Sequence, residues 1–430
     1  MTTPQSPVPE SHITANGTCP VQHGASLEVD PDRFPMYTPD FVTDPGRTYD
    51  QMRRAHPTLV PVELAPGVPA YLCIGYQTAV RILNDPDHFP SDPRTWEKDI
   101  PADSPVRPMM EWYPAARYNT GATHLRYRAP SVVAIDNIHQ AAIRAMVEKA
   151  AVPLIASFCE NGSAELVMQY AFPLILDVLN QMCGCPGDIG ERVALGMADR
   201  FDSDRVKAKQ GMVMVRQALM ELIALKREQP GDDVTSHLAH HPNGLDDIEV
   251  FAQLMSFYGA GFEAQRTFLA NALLLIFTDP RFQPDSGRNL STTDALEEVL
   301  FNNPPMANFC TTYPRQPIQI DGVWLPADQP VLISLAACNN DPHIRGAGTT
   351  SIGNRSHLAW SAGPHACPAK DVAYQTVQSA IDQLFDRVGE MQLAIRPDQL
   401  KWRPGPFHRA LVSMPVAFAP LSKEVMMMSI

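Results

Sequence analysis

The chain has 430 residues, 45% of them hydrophobic, and a formal net charge of −13. That length and apolar content suffice to bury a large core, and the acidic balance excludes the basic stripe that binding nucleic-acid phosphates requires. The longest apolar stretch, around 272–277, is far short of the roughly 20 residues a bilayer-spanning helix needs, so no membrane association is expected.

The eight cysteines, at Cys19, Cys73, Cys159, Cys183, Cys185, Cys310, Cys338 and Cys367, follow no disulfide-framework spacing, and Cys183-x-Cys185 lacks the two-residue gap of zinc knuckles. Reduced thiols and a cytoplasmic location are the expectation. The 41 prolines, roughly twice the usual share of about 5%, fit a fold with many fixed loops between helices. Residues 1–30 are polar and rich in Pro, Ser and Thr, without a basic start or an apolar core, and read as a flexible leader. Nothing marks a linker after it, so 31–420 is expected to form one large domain, with 421–430 as a tail.

In chain order, 59–64 and 70–74, separated by a Pro/Gly turn, predict a hairpin, and 76–84 a helix after it. Residues 85–120 have many prolines and aromatics and little periodicity, which predicts a long ordered loop. His124 and Arg128, four residues apart, share a face of the next helix and can meet an anionic group together. Residues 246–278 are apolar nearly all round, as in a helix running through the middle of a large fold. Gly259 and Gly261 inside it each cost about 1 kcal/mol relative to alanine, which calls for some compensating close approach. Glu263 follows in the same apolar helix, and a buried carboxylate needs a partner or a task; Arg266, three residues on, is one such partner.

Residues 294–301 predict a short helix carrying Glu298. Residues 318–326 and 331–335 predict strands, followed by Asn339-Asn340-Asp341-Pro342. The stretch Trp360-Ser361-Ala362-Gly363-Pro364-His365-Ala366-Cys367-Pro368-Ala369 then presents one cysteine on a tight Gly/Pro loop. A helix over 368–388 is predicted after it, with Pro368 at its first position. The unpaired N–H groups at a helix start favour a sulfur held there as the anion.

This loop resembles the haem-binding loop F-G-x-G-x-H/R-x-C-x-G of the cytochrome P-450 superfamily. It matches at Gly363, His365 and Cys367 and departs at Trp360, Ser361 and Ala369. His124 to Arg128 resembles the H-x-x-x-R of that family's third helix, and 339–342 its A-N-x-D-P signature. The resemblance runs from about Leu59 to about Ala417. It implies a mainly α fold with small β-sheets, a single large domain whose long central helix lies over the haem.

It further implies haem b with Cys367 as the axial iron ligand. His365, His124 and Arg128 would contact the haem propionates, with Gly363, Trp360 and Ala260 against the cofactor. The loop 85–120 would roof a substrate pocket with Phe257, Ala307, Phe309, Phe407 and Met110 as candidate lining. Where the family has A-G-x-D/E-T-T, this chain has Ala260-Gly261-Phe262-Glu263-Ala264-Gln265. Glu263, Ala264 and Gln265 therefore occupy the oxygen-activating positions, without the first hydroxyl.

The family's E-x-x-R ends here in Phe301, and a further propionate arginine would fall on Thr311 or Thr312. Glu298 is accordingly expected to be buried and paired elsewhere, with Arg355 or Arg345. Pro368 removes one backbone donor near the sulfur, which should lower the iron potential. The implied activity is monooxygenation of a small organic molecule of secondary metabolism, fed by a ferredoxin-like electron donor. A peroxide-driven or non-oxygenating haem enzyme is the alternative, and a degenerate scaffold for a partner protein the second.

Overall fold

The computed structural model describes residues 33–200, 205–282, 290–345 and 354–428. The leader 1–30 lies outside the described residues. Helices dominate, and the strands gather into a five-stranded, a three-stranded and a two-stranded sheet.

The predicted hairpin forms from Leu59–Glu63 and Pro69–Cys73, antiparallel, with Leu59 opposite Cys73. Phe34–Pro35 adds on one side, and Val331–Ser334 and then Asn308–Thr312 on the other. The region 318–326 is two strands, Ile318–Ile320 and Val323–Leu325. Asp321 and Gly322 between them both take positive φ, of 50° and 84°, the conformation of a tight hairpin turn. The loop 85–120 is ordered and contains short helical turns at Trp96–Lys98, Arg107–Met110 and Ala116–Tyr118.

The central helix spans Asp247–Thr278, 32 residues, or about 48 Å at 1.5 Å per residue. Asp246 and Glu249 form a reciprocal capping box at its start. Glu249 also accepts two hydrogen bonds from Arg126 and one from the Tyr127 hydroxyl, which pins the Gly121–Asp136 helix to it. Tyr258 and Phe262 are fully buried. The Tyr258 hydroxyl donates to Asn180 Oδ1 at 2.8 Å on the Phe172–Met182 helix, and Phe262 meets Phe172 edge-on at 4.9 Å.

The helix after the cysteine loop spans Lys370–Val388, so Pro368 precedes it and is not its first residue. It starts later because Ala369 takes the capping position with non-helical dihedrals. Val377, Ala380, Ile381 and Leu384 are fully buried along one side, and the helix packs against Gln140–Phe158. At the C-terminus, Lys423–Met428 is a helix with Met426 fully buried. Among the described residues no helix is long and apolar enough to cross a membrane.

Candidate active site

A cavity of about 330 Å³ lies between the cysteine loop and the central helix. Cys367, His365, Trp360, Pro368 and Ala369 form one wall, and Gly259, Ala260, Gly261, Ala264 and Gln265 the opposite one. Residues 109–118 and the strand at Phe309–Thr312 close the sides. The expected residues Arg128, Phe257, Phe309 and Met110 also line it.

The loop is shaped by two backbone devices. The Cys367 N–H donates to Trp360 O at 2.8 Å, closing the loop on itself so that the sulfur projects into the cavity. Gly363 has φ +67°, and a Cβ there would stand 2.2 Å from Leu83 O. This glycine is not on the cavity wall: it is required by the end of the Tyr76–Leu83 helix behind the loop, a correction to its reading as a cofactor contact. Ser361 also has positive φ, 61°.

Burial pushes the Cys367 thiol up, while the Ala369 N–H directed at the sulfur and the Arg128 guanidinium pull it down. Losing one donor at Pro368 thus leaves the next one aimed at the sulfur. Trp360 stands edge-on to Phe268 of the central helix at 6.2 Å, tying the loop to the element across the cavity.

The His124 and His365 rings lie 4.5 Å apart, tilted by 51°, and the Nε2 atoms of both are buried without a partner among the described residues. Arg128 donates to Ala366 O beside them. Burial, then His124 and Arg128, push the His365 imidazole down to about 4, and burial and Arg128 lower His124 as well. Two neutral imidazoles and a guanidinium thus gather where buried polar atoms lack partners, which fits the carboxylate edge of a haem. The sulfur, the flat Trp360 and the small residues Ala260, Ala369 and Ala373 fit its iron and its faces. Gly259 needs no close protein neighbour, since a Cβ there would meet nothing within 4 Å; its effect is to leave cavity space open.

Several sequence expectations are redirected. Ala264 and Gln265 lie on the cavity wall, but Glu263 turns away from it. Its Oε1 accepts from Arg266 Nη2 at 2.9 Å, from Thr267 Oγ1 at 3.3 Å and from Arg403. Although burial alone would raise its pKa, Arg403, Arg266 and His408 hold the carboxyl below its ordinary range. Gln265 Oε1 is buried on the wall without a partner.

Ala307 and Phe407 do not line the cavity. Ala307 faces a smaller space beside Asn308 and Arg409, and Phe407, whose carbonyl accepts from the Asn308 N–H at 3.1 Å, packs edge-on against Phe309 at 5.9 Å. Glu298 is buried as expected, but its partner is Arg281, at 2.5 Å. Arg355 pairs with Glu297 at 3.3 Å, joined there by His357; the Arg345 side chain lies outside the described residues. Arg117, Cys310 and His408 are cavity residues that sequence reasoning did not single out. Only Arg117 left a signal, as a lone cation in the aromatic stretch 109–118.

No family model matches the chain. The cytochrome P450 monooxygenase PikC of Streptomyces venezuelae is 26% identical over 397 residues, covering 88% of this chain and 92% of that protein. The 2-hydroxy-5-methyl-1-naphthoate 7-hydroxylase of Streptomyces carzinostaticus is 27% identical over 360 residues, covering 79% of this chain and 87% of that enzyme. In fold, CYP154C4 from Streptomyces sp. ATCC 11861 superposes with a TM-score of 0.80 at 24% identity, over 90% of this chain and 98% of that one. Sequence likeness and architecture thus agree over nearly the whole length, on both sides of the wall from which Cys367 projects: the chain belongs to the cytochrome P450 superfamily.

Proposed function

We infer that the protein is a haem-thiolate monooxygenase that oxidises a small organic molecule. The observation that carries this reading is the Cys367 sulfur opening onto a cavity roofed by Gly259, Ala260 and Gly261. Cys367 would hold haem b through its sulfur, and His124, His365 and Arg128 would hold its carboxylates. When bound, haem supplies the oxidising iron, whose thiolate ligand favours O–O cleavage.

The chain's own contribution is positional. The Trp360–Cys367 backbone bond and the Ala369 N–H fix the direction and charge of the sulfur. Phe257, Phe309 and Met110 exclude water and offer an apolar berth to the substrate's body. Gln265 is a polar group on the central-helix wall with a buried oxygen, able to hold a water there and pass a proton through it. Glu263, engaged by two guanidiniums, fixes that stretch of helix. The bacterial relatives act in hydroxylation and monooxygenation, as their names state, which supports oxygenation of a small organic molecule; a secondary-metabolism substrate and a ferredoxin-like electron donor follow from the family resemblance alone. A spectrum of purified protein, ferric and then reduced under carbon monoxide, tests the site; label from ¹⁸O₂ appearing in product tests the reaction.

One observation favours peroxide as the oxidant: Ala264 places a methyl group on the cavity wall where the family pattern has a hydroxyl, and Glu263 points elsewhere. Turnover with peroxide that exceeds turnover with a ferredoxin and its reductase selects that reading.

A further inference from the structure

We propose that Arg117 anchors a carboxylate of the substrate, so that the preferred ligands of this cavity are amphiphilic acids with an apolar body; this rests on the monooxygenase reading above. The chain carries 47 acidic against 34 basic residues, yet among the described residues no Asp or Glu lines the cavity. The cationic side chains there are Arg128 and Arg117. Arg128 serves the cysteine-loop side, where it donates to Ala366 O beside the two histidines.

Arg117 stands against a different wall. Its guanidinium lies 4.0 Å from the Phe309 ring centroid and 5.0 Å from that of Tyr118, and Nη2 donates to Met109 O at 2.6 Å. No carboxylate of the described residues forms an ion pair with it. A guanidinium has five N–H donors; the hydrogen bond to Met109 O uses one of them, and the residue lines the cavity.

The position is held and not accidental. Gln253 of the central helix accepts the Ala116 N–H at 3.3 Å and donates to Pro114 O at 2.9 Å, fixing the segment that carries Arg117. Arg117 is half-buried against Phe309, Tyr118 and Met109, and an ionic hydrogen bond there is stronger than in open water. A neutral ligand would desolvate the cation without replacing its lost water; a carboxylate replaces it bidentately.

The carboxylates of the haem itself are the other source of the same chemistry, and the test separates the two. Haem-loaded wild type, Arg117→Gln and Arg117→Lys are titrated calorimetrically with 1-naphthoate and dodecanoate, each against its methyl ester. Haem transfer to apomyoglobin is timed in parallel. The expected result is an acid-over-ester preference of about tenfold or more in the wild type for at least one pair. Arg117→Gln abolishes it and Arg117→Lys retains part, with haem transfer unchanged. A haem-loaded wild type without acid preference, or an undiminished preference in Arg117→Gln, overturns the proposal alone. Faster haem loss in Arg117→Gln with the acid preference intact reassigns the guanidinium to the cofactor and also overturns it. Wild type that takes up no haem overturns the monooxygenase reading as well.

Discussion

The two walls of the cavity are built on different principles. On the sulfur side, position comes from backbone: Cys367 hangs from a loop closed by its own N–H, and Gly363 is dictated by Leu83 O. On the opposite side it comes from charge. The central helix is steadied where Glu263 accepts from Arg266 and Arg403, residues 137 positions apart in the chain. A backbone-built wall shows in local sequence, because each residue type answers to its neighbours. A charge-built wall shows only in part: Arg266 is legible three residues from Glu263, but any of many distant arginines could have been the second partner that Arg403 turns out to be.

Replacing Cys367 breaks the comparison most sharply. Cys367→Ala should retain the fold and lose the thiolate-type band of the reduced carbon monoxide complex together with all turnover. Native-like circular dichroism with an unchanged band would mean that the sulfur is not the ligand.

On the other wall, Glu263→Gln removes the carboxylate charge that Arg266 and Arg403 both bond, and breaking such a buried set costs about 3–5 kcal/mol. Urea denaturation of the purified variant measures it, and a change below about 1 kcal/mol would show the cluster to be solvated. Gly363→Ala tests the backbone wall through strain, at about 1–3 kcal/mol for the conformation alone, before the clash with Leu83 O is added. If it proves neutral, the loop is not held by the helix end behind it.

His408 joins the two walls: it lines the cavity and sits against the Glu263 cluster. Burial, opposed by Glu263 and aided by Arg403, Arg266 and Arg117, pushes its imidazole down to about 4 from 6.5. The unfolded chain therefore takes up this proton first as pH falls. Stability relative to His408→Phe should decline from about pH 6.5 to about pH 4 and level off below. A difference that does not vary with pH across this window would remove His408 from the linkage.

The smallest effect separates the two glutamates of the Thr292–Asn302 helix. Arg355 is 75% exposed beside Glu297, so Arg355→Ala should change stability by less than about 1 kcal/mol. Arg281, 28% exposed and bonded to both Asp279 and the buried Glu298, should matter more. Equal effects in thermal melts would erase the distinction.

Much of the site was legible beforehand. His124 and Arg128 share a helix face as their spacing implied, Cys367 and His365 meet them as the family resemblance implied, and Phe257, Phe309 and Met110 line the cavity. Ala307 and Phe407 were misplaced because periodicity does not say which face of an irregular strand looks inward. A bulge interrupts pairing between Phe309 and Thr312, and Phe407 ends up behind Phe309. Arg281 was missed as the partner of Glu298 because it lies before the helix and not in the stretch leading to the cysteine loop.

The amino-acid sequence by itself determined the helix-rich architecture, the cysteine loop and the central helix with its small residues, because those depend on helical period, turn chemistry and contacts within a few residues. Tertiary structure alone decided which charges meet: Glu263 with Arg403, Glu298 with Arg281, and Arg117 over Phe309. Partners distant in sequence are selected by packing geometry, and the strength of an ion pair or hydrogen bond depends on burial that only the assembled fold defines.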